Sequence, residues 1–542
     1  MEYRTVHSAF AASASRTPHA DFLFTESVTA KTYGIAPGPV RWEQARAEVD
    51  CLHQAYASAG WGHGHRVGLL LENRPAFLYH WFALNALGVS VVPINAEMRS
   101  AELAYLIGHS EIGLAVTLPQ RARDLEAAAR QAGRALHMIG AEADKMPAPF
   151  EPAPRANEPV GEDSECALLY TSGTTGRPKG CVLDNGYFLR AGQWYAGLDS
   201  VCEVRRDRER VMTPLPLNHM NAMAFSTGVV LIAGGCLVQL DRFHPKTWLQ
   251  SARESGATIV HYLGVMPAML LSAPEASTDR EHAIRWGFGA GVDRKNHAPF
   301  EARFGFPLVE AWAMTETGAA ACIMANREPR HVGTSCFGRP EGFVEIRLVD
   351  EAGADVPVGT PGELLVRSSG DDARRYFFRG YLKDAKATAD AWAGGWFHTG
   401  DMVRGDAQGS LYFVDRKKNV IRRSGENISA VEVESVLNQH PAVKVSAVAA
   451  TPDAVRGDEV LACVVLDPEA GGKAGAELAA SIVEHTLAQL AYYKAPGYVA
   501  FVDALPLTAS QKIQRGELRQ MAQALPGQAG CFDTRNMKKR QD

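Results

Sequence analysis

The 542-residue sequence predicts an α/β protein. We expect a large N-terminal domain of layered parallel β/α subdomains with a small antiparallel β subdomain, followed by a smaller α+β C-terminal domain. Three observations indicate this class: an early strand–helix–strand pattern, short alternating strands from about residue 335, and a second mixed pattern near the C-terminus. The chain is also too long for one ordinary hydrophobic core, so at least two domains are expected.

The early pattern lies within residues 67–94. Residues 67–71 form a continuous apolar run, which suits a strand covered on both faces. Pro75 opens a helical stretch and Gly88 closes it, because proline is favoured in the first helical turn and glycine after the last. Residues 89–94 are a second apolar strand. Two strands joined by a helix over this distance predict a parallel βαβ unit.

A small antiparallel subdomain is predicted from about residue 335. Short strands of alternating hydrophobicity occur at 342–350, 362–368 and 409–415. Turns containing Gly and Pro separate them, which is typical of a twisted antiparallel sheet.

The C-terminal region has the pattern of a separate α+β domain. Helices are predicted at 429–440 and 477–490, and strands at 443–451 and 461–467. A unit of roughly a hundred residues is large enough to form its own domain. Residues 533–542 lack apolar periodicity, which predicts a frayed tail.

Composition and charge exclude several classes of protein. The net charge of −5 and the pI of about 6.4 argue against a protein that coats nucleic acid. Nine cysteines without a CxxC pair indicate a reducing compartment rather than a disulfide framework or a zinc site. No signal peptide is apparent, and the apolar runs are shorter than a bilayer span. A cytoplasmic enzyme with no nucleic-acid or membrane partner is therefore expected.

The segment YTSGTTGRPKG (170–180) combines four Ser/Thr residues, three glycines and a lysine, directly after an apolar strand candidate. A glycine-rich turn after a strand directs backbone N–H groups into one concavity, and Lys179 adds a positive charge. The GxxxxGK[ST] pattern is absent, because Pro178 precedes the lysine and Gly180 follows it. The segment predicts a phosphate cradle, with a mobile surface turn as the alternative.

Further motifs follow this loop along the chain. They are PLPLNHMNAM (214–223), GFGAG (287–291), EAWAMTETG (310–318), GWFHTGD (395–401), DRKKNVIRRSGENIS (415–429) and LPLTASQKIQRGELR (505–519). Together with the loop they resemble the signatures of the adenylate-forming enzymes, a family that includes acyl-CoA synthetases, standalone adenylation domains and luciferases. The resemblance covers almost the whole chain.

The resemblance implies a binding site for ATP and Mg²⁺. Trp312 would stack on adenine, and Asp401 and Arg416 would contact the ribose. Glu316 would carry the magnesium ligand, since Mg²⁺ prefers oxygen ligands of this kind. A carboxylate suits the ribose because it accepts hydrogen bonds from two hydroxyl donors. The residues implied to contact ATP or AMP are Thr171, Ser172, Gly173, Thr174, Thr175, Gly176, Lys179, Gly289, Ala290, Gly291, Trp312, Asp401 and Arg416.

Three residues are implied to act close to the reacting groups. Lys512 reaches into the active site, His219 lies near the acyl pocket and the nucleotide, and Thr315 contacts phosphate. Considered without their motifs, His219 would be interpreted as a hydrogen-bonded polar residue without a function, and Lys512 as a lysine exposed to solvent. Both assignments therefore depend on the resemblance. Ala313 and Gln511 replace glycines that are usual in the family, which predicts altered backbone in two turns.

The resemblance also implies a hinge between two domains. Residues 1–417 would form the ATP- and acyl-binding domain, and residues 418–542 a mobile domain that carries the catalytic lysine. Lys418 falls at the hinge position, and Gly425 falls in the loop that lines the tunnel for coenzyme A.

The implied activity is that of an ATP-dependent carboxylic acid–CoA ligase, which forms an acyl-adenylate and releases AMP and pyrophosphate. ATP, Mg²⁺ and coenzyme A are the expected cofactors, and a small carboxylic acid and CoA the expected partners. Two alternatives stay open: an adenylation enzyme that loads a separate carrier protein, and a catalytically silent nucleotide-binding protein. Family members are often dimers, so a homodimer also stays open.

The substrate acid does not follow from the family branch. Residues 91–107 and 411–434 look most like crotonobetaine/carnitine-CoA ligases and their relatives. A quaternary ammonium acid favours aromatic or acidic pocket walls. The expected pocket segments, 219–224 and 286–291, supply no carboxylate. A short or medium acyl acid or an aryl acid is equally compatible with them.

Overall fold

A computed structural model describes most of the chain. The described residues are 3–98, 100–142, 145–171, 178–423, 426–453, 456–468, 473–490, 492–508 and 512–538. They form a seven-stranded and an eight-stranded sheet that are largely parallel, a five-stranded antiparallel sheet, and a six-stranded C-terminal sheet.

The first part of the chain alternates helices and strands, as an α/β fold requires. Its elements are α1 (Val6–Arg16), β1 (Asp21–Thr25), α2 (Ser27–Tyr33), β2 (Gly38–Arg41), α3 (Trp42–Ala59), β3 (Arg66–Leu70), α4 (Pro75–Ala86), β4 (Ser90–Pro93), α5 (Ser100–Ser110), β5 (Leu114–Thr117), α6 (Ala122–Gln131) and β6 (His137–Ile139).

The alternation continues through the middle of the chain. Its elements are β7 (Glu165–Thr171), β8 (Lys179–Asp184), α7 (Asn185–Ala196), β9 (Arg210–Thr213), α8 (Thr227–Ala233), β10 (Cys236–Gln239), α9 (Trp248–Ser255), β11 (Ile259–Leu263), α10 (Val265–Leu271), β12 (Trp286–Ala290), α11 (Arg294–Phe304), β13 (Leu308–Trp312) and β14 (Ile323–Met324). A π-helical turn, Asn221–Ser226, precedes α8.

The last part is richer in antiparallel strands. Its elements are β15 (Cys336–Gly338), β16 (Val344–Val349), β17 (Pro361–Ser368), β18 (Gly380–Tyr381), α12 (Ala385–Ala391), β19 (Phe397–Gly405), β20 (Leu411–Arg416), β21 (Ile421–Arg423), β22 (Glu426–Ile428), α13 (Ala430–Leu437), β23 (Val443–Asp453), β24 (Gly457–Leu466), α14 (Ala476–Leu487), β25 (Tyr498–Phe501), α15 (Arg515–Ala524) and β26 (Cys531–Asp533).

The predicted βαβ unit is confirmed in the seven-stranded sheet, whose order is β18-β8-β7-β4-β3-β5-β6. Strand β3 pairs in parallel with β4, and α4 connects them. Gly88 follows α4 with a φ of 72°, a left-handed conformation that glycine adopts without strain.

The eight-stranded sheet has the order β14-β13-β12-β11-β9-β10-β1-β2, and its strands from β13 to β1 are parallel. The carboxyl ends of β9, β11, β12 and β13 therefore meet at one edge. In open α/β sheets, ligands bind at this edge. The motifs after these strands are thereby brought together.

The antiparallel subdomain is confirmed as a sheet of order β15-β20-β19-β17-β16. The predicted strands are β16, β17 and β20. Strand β19 was not predicted, because its sequence FHTGDMVRG interrupts the apolar alternation with glycine and charge. It nevertheless buries every second residue from Phe397 to Val403, including Asp401.

The C-terminal region contains the two predicted helices, α13 and α14, and the two predicted strands, β23 and β24. Its apolar clusters contain only residues from 421 onward, so this part has its own hydrophobic core. Strand β20 of the preceding sheet ends at Arg416. The domain boundary between residues 417 and 418 stays a prediction.

The prediction of a frayed tail is wrong up to residue 538. Strand β26 pairs with β25, and the side chain of Lys538 is 1% exposed. Its ammonium pairs with the buried Glu459 carboxylate, which also accepts a hydrogen bond from Arg423. A buried ion pair rather than apolar periodicity anchors this segment, so the hydrophobic pattern did not reveal it. In the part of the chain that the structure describes, no helix combines the length and hydrophobicity needed to cross a membrane.

Candidate active site

Strands β7 and β8 hold the two ends of the predicted phosphate loop. They are antiparallel neighbours, and Thr171 at the end of β7 lies opposite Lys179 at the start of β8. The ammonium of Lys179 lies 4.7 Å from the centre of the Tyr381 ring, within the range of a cation–π interaction. The predicted loop residues Ser172, Gly173, Thr174, Thr175 and Gly176 lie outside the described residues.

Helix α5 contacts both ends of this loop. The Tyr105 hydroxyl donates a hydrogen bond of 2.9 Å to the carbonyl oxygen of Pro178. His109 Nδ1 lies 2.7 Å from the Tyr170 hydroxyl, and the rings of Tyr105 and His109 stack on each other. The helix thus supports the residues that immediately precede Thr171 and Lys179.

The turn after β13 carries Glu316, whose side chain is buried against Tyr381. The Tyr381 hydroxyl donates to Glu316 Oε1 at 2.9 Å. Gly318 closes the turn with a φ of 48°, and a Cβ atom there would lie 2.4 Å from the Tyr187 ring. Glycine is therefore required at this position. Thr315 is half-buried in the same turn.

The environment of Glu316 fits a magnesium ligand. Its Oε1 is engaged by Tyr381, whereas none of the described residues donates a hydrogen bond to Oε2, which is also not sealed from solvent. An available carboxylate oxygen is the ligand type that Mg²⁺ takes together with phosphate oxygens. The described residues contain no cluster of three His, Cys, Asp or Glu side chains that could hold a metal by themselves. A single available carboxylate beside the predicted phosphate loop fits a metal that arrives with ATP.

Trp312, Asp401 and Arg416 form a second cluster. Trp312 ends β13, and its indole N–H donates to Asp401 Oδ2 at 2.9 Å. Asp401 and Arg416 are paired neighbours on β19 and β20, and Arg416 Nε lies 2.7 Å from Asp401 Oδ1. That contact is poorly aligned, so Oδ1 is a buried oxygen without a hydrogen-bond donor among the described residues. An incoming ligand hydroxyl would satisfy it.

Burial sets the protonation of this carboxyl group. It raises the pKa of Asp401 to about 6, although the Arg416 charge and the Trp312 hydrogen bond act in the opposite direction. The nearby Glu316 charge raises the pKa further. The phosphate-loop side of the site and the Trp312 cluster are therefore close enough to interact electrostatically.

The glycine-rich stretch at the end of β12 is shaped by β11 and β13. Gly289 allows close packing, because a Cβ atom there would lie 2.4 Å from the carbonyl oxygen of Tyr262. Glu310 on β13 accepts a hydrogen bond of 2.8 Å from the Gly291 backbone and one of 3.0 Å from the Tyr262 hydroxyl. Ala290 and Gly291 are exposed at the carboxyl edge of the sheet, where the resemblance places adenine.

His219 and Lys512 approach each other although they come from distant parts of the chain. Desolvation by the surrounding protein lowers the pKa of His219 to about 4, and the positive charge of Lys512 contributes to this shift. Desolvation lowers the pKa of Lys512, and the positive charge of Arg416 lowers it further. Lys512 thus lies within the electrostatic reach of both His219 and Arg416, with its side chain open to solvent.

The loop that carries Lys512 is closed by backbone contacts. The Thr508 N–H donates to the Lys512 carbonyl oxygen at 2.7 Å, and the Lys512 N–H donates to Thr508 Oγ1 at 3.1 Å. Three residues later, Arg515 forms a bidentate ion pair with the buried Glu434 carboxylate. This pair fixes the start of α15 and thereby the base of the loop.

The predicted hinge is a short 3₁₀ turn, Lys417–Asn419. Before it, Asp415 Oδ2 accepts hydrogen bonds from Ser429 and from the backbone of Val431, at the start of α13. Glu363 binds Lys417 Nζ at 2.6 Å. The contacts of Asp415 cross the turn to α13, whereas the contact of Glu363 holds the first residue of the turn. The side chain of Lys418 and the residue Gly425 are outside the described part of the chain.

Sequence reasoning did not find the residues that support the predicted site. Tyr105, Tyr381, Glu363 and Arg515 all hold a predicted residue or its neighbour in place. None of them carries a local signal, because each is recognised only by a partner that lies far away in sequence or across a sheet. The departure at Ala313 is explained, since this residue does not have a positive φ and needs no glycine.

Comparison with known proteins agrees with this arrangement. The model of the AMP-binding enzyme family matches residues 11–382, and that of the AMP-binding enzyme C-terminal domain matches residues 432–512. Sulfoacetate–CoA ligase of Cupriavidus necator is 30% identical over 95% of this chain and 97% of its own length. Crotonobetaine/carnitine–CoA ligase of Salmonella typhimurium is 30% identical over 91% of this chain and 96% of its own.

Solved structures show the same fold. ATP-bound MatB from Rhodopseudomonas palustris superposes with a TM-score of 0.79 at 24% identity, over 95% of this chain and 99% of that one. The layout of a large N-terminal and a smaller C-terminal domain is therefore confirmed, as is the resemblance predicted from the motifs. The chain belongs to the AMP-binding enzyme family.

Proposed function

We propose that the protein is an ATP-dependent carboxylic acid–CoA ligase that works through an acyl-adenylate and releases AMP and pyrophosphate. The observation that carries this proposal is the position of Lys512. Its charge lowers the pKa of His219, and the charge of Arg416 lowers the pKa of Lys512, which supports a position of this lysine near the Trp312 cluster.

In the first half-reaction, the substrate carboxylate attacks the α-phosphorus of ATP and pyrophosphate leaves. Two anions must approach each other, which a preorganised cation favours by stabilising the charge that develops in the transition state. We assign this role to Lys512. His219 is neutral above about pH 4, so it can contact the carboxylate or the nucleotide without adding charge.

The remaining predicted residues bind the nucleotide. We assign adenine to Trp312 and the 289–291 stretch, and the ribose hydroxyls to Asp401 and Arg416. The buried Oδ1 of Asp401, which accepts no hydrogen bond from the described residues, supports this assignment.

The β- and γ-phosphates are assigned to the loop between Thr171 and Lys179 and to Thr315. Glu316 would hold Mg²⁺, which supplies neutralisation of the phosphate charge when bound. The assignment to Glu316 is supported by its available Oε2 oxygen.

In the second half-reaction, a thiol attacks the acyl-adenylate and AMP leaves. The thiol and Lys512 would need the same space, so the C-terminal domain would rotate at Lys418 to admit the thiol and bring Gly425 to the tunnel. The rotation has to break the contacts of Asp415 with the start of α13.

We propose coenzyme A as the thiol, because the two curated relatives described above are named as CoA ligases. Loading of a separate carrier protein is the alternative. Neither relative's substrate is assigned to this chain.

The test is pyrophosphate release from ATP with a panel of carboxylic acids, with and without CoA. The proposal expects release that requires a particular acid and rises with CoA, together with a thioester product. Release that CoA leaves unchanged, without a thioester, would favour the carrier-protein alternative. Absence of release with every acid would overturn the proposal.

A further inference from the structure

A chain of buried polar side chains ends at Asn221, in the segment 219–224 that the family resemblance assigns to the acyl pocket. His261, on β11, has its Nε2 atom 2.9 Å from the Tyr195 hydroxyl. On its other side, Nδ1 lies 2.6 Å from Asn221 Oδ1 and 2.9 Å from Ser226 Oγ. His261, Tyr195 and Ser226 are all fully buried. The side chains packed around these four polar groups are largely aromatic, among them Phe225 and Phe288. A connected polar network is costly in such surroundings unless its members are paired, so each group is expected to have a partner.

The geometry determines how hydrogen atoms are shared along this chain. Burial lowers the pKa of His261 to about 3, so its imidazole is neutral and carries a single N–H. Asn221 Oδ1 can only accept, so Nδ1 carries the hydrogen and donates to it. Nε2 then accepts the hydrogen bond from the Tyr195 hydroxyl. In this arrangement the Asn221 amide oxygen faces the imidazole, and the Nδ1–H hydrogen bond holds it there.

The NH₂ group of Asn221 is therefore turned away from this buried chain. It has no hydrogen-bond acceptor among the described residues, and it is not sealed from solvent. Asn221 is half-buried and begins the π-helical turn two residues after His219. Two residues span at most about 7 Å of backbone. Because the resemblance assigns segment 219–224 to the acyl pocket, we take this NH₂ group as a donor available to the acyl group.

We propose that Asn221 determines acyl specificity by donating a hydrogen bond to an uncharged hydroxyl or carbonyl oxygen on the acyl chain, and that His261 and Tyr195 position it. The proposal rests on the proposed function, because it concerns the acid that the enzyme activates. It narrows the substrate class to oxygenated carboxylic acids, whereas the motifs alone leave acyl and aryl acids of any polarity open.

The absence of charge among these four residues makes charged substituents less favourable next to Asn221. Asn221, Ser226 and Tyr195 are uncharged, and His261 is neutral. A sulfonate or a second carboxylate would have no cation from these residues to compensate its desolvation. A quaternary ammonium group cannot accept a hydrogen bond, so it would leave the Asn221 donor unpaired. Plain aliphatic and aryl acids would leave it unpaired as well, at a cost that lowers their reaction rate.

The experiment compares kcat/KM for matched acids that differ only in one oxygen. Suitable sets are butanoate with its 2-, 3- and 4-hydroxy and 3-oxo derivatives, and benzoate with 2- and 4-hydroxybenzoate. We expect one oxygenated acid or more to exceed its parent by about tenfold, the size of one hydrogen bond gained against one left unpaired. Sulfoacetate and crotonobetaine are included as charged acids and are expected to react more slowly than the best oxygenated acid.

Asn221→Leu tests the residue itself. It keeps the size of the side chain and removes the donor, so the preference for the oxygenated acid is expected to fall to twofold or less, with the KM for ATP unchanged. Asn221→Asp keeps an acceptor for His261 but replaces the donor, so it is expected to lose the 3-oxo acid more than the hydroxy acid. Asn296→Leu, the same exchange at a half-buried residue of α11, is the matched control and is expected to keep the preference.

Two results would overturn the inference while leaving the proposed function intact. One is release of pyrophosphate with unsubstituted or charged acids in preference to every oxygenated one. The other is an oxygen preference that Asn221→Leu retains. Absence of release with every acid would overturn the proposed function, and the inference with it.

Discussion

The Trp312 cluster and the Lys512 loop interact electrostatically but are supported in different ways. Asp401 is 1% exposed, lies within a sheet and is fixed by two neighbours, Trp312 and Arg416. Lys512 is exposed in a short loop, and its interactions with Arg416 and His219 are electrostatic. Both come from recognisable motifs, yet only the first is built into a rigid element.

This difference determines which residues can act in one half-reaction and which can act in both. In the proposed rotation, Asp401 would keep its position, because its neighbours Trp312 and Arg416 precede the predicted hinge. Lys512 would act only while the C-terminal domain is turned towards the nucleotide. Binding of the AMP moiety should therefore persist through both steps, whereas the lysine should act in adenylation alone.

The largest effect is expected for Lys512→Ala. Loss of a single preorganised donor to developing charge reduces turnover by roughly 10²–10³, and we expect a reduction of this size in pyrophosphate release. The Lys512 side chain is exposed, so folding is expected to be unaffected. Lys444→Ala, at an exposed lysine of β23 in the same domain, is the control and should retain activity. A loss below about fivefold would contradict the assigned role.

The pH dependence separates Asp401 from His219. The pKa of Asp401 is raised to about 6, and only the ionised carboxylate accepts from two ribose hydroxyls. We therefore expect kcat/KM for ATP to fall about tenfold per pH unit as the pH drops below about 6. His219, with a pKa of about 4, is already neutral in this range.

Two variants assign that acidic limb. His219→Gln should retain it, and Asp401→Asn should lower the rate but flatten the profile. An inflection near pH 6 that survives in Asp401→Asn would show that another group is responsible.

Lys418→Pro tests the hinge. Proline fixes φ near the value of the present 3₁₀ turn, so it should favour this arrangement over the rotated one. We expect thioester formation from supplied acyl-adenylate to fall about tenfold and adenylation to change little, on the scale of a restricted conformational step. Lys418→Ala leaves φ free and should leave both steps near their original rates. Equal losses in both steps of the proline variant would count against a hinge at this residue.

The smallest effect is expected for the support of the phosphate loop. Tyr105→Phe removes the hydrogen bond to Pro178 and keeps the ring that stacks on His109. A hydrogen bond of this kind contributes about 0.5–1.5 kcal/mol, so the KM for ATP should rise about threefold with little change in kcat. A change in kcat with an unaltered KM would indicate that α5 does not act through ATP binding.

Much of the fold could be predicted because its pattern is local. The run of residues 67–94 contains its own strand, helix and turn signals, and the structure confirms them. Strand β19 and the tail could not be found in this way. Asp401 and its neighbours break the apolar alternation of β19, and an ion pair between Lys538 and Glu459 anchors the tail.

The candidate site also contains residues that local sequence predicts and residues that it does not. Motifs predicted Glu316, Asp401 and Lys512, because those residues occur within short characteristic strings. Their supports could not be predicted: Tyr381 reaches Glu316 across 65 residues of sequence. The orientation of Asn221 is likewise determined by His261, 40 residues away. Sequence alone identifies such partners only after the sheets have brought them together.

The proposal that Asp401 acts in both half-reactions and Lys512 in adenylation alone is tested most directly by measuring the two half-reactions separately in Lys512→Ala and Asp401→Ala. Adenylation is followed by pyrophosphate release, and thioester formation by reaction of supplied acyl-adenylate with CoA. We predict that Asp401→Ala slows both steps, whereas Lys512→Ala slows adenylation and spares thioester formation. Equal losses in both steps for Lys512→Ala would contradict the assignment of Lys512 to adenylation alone.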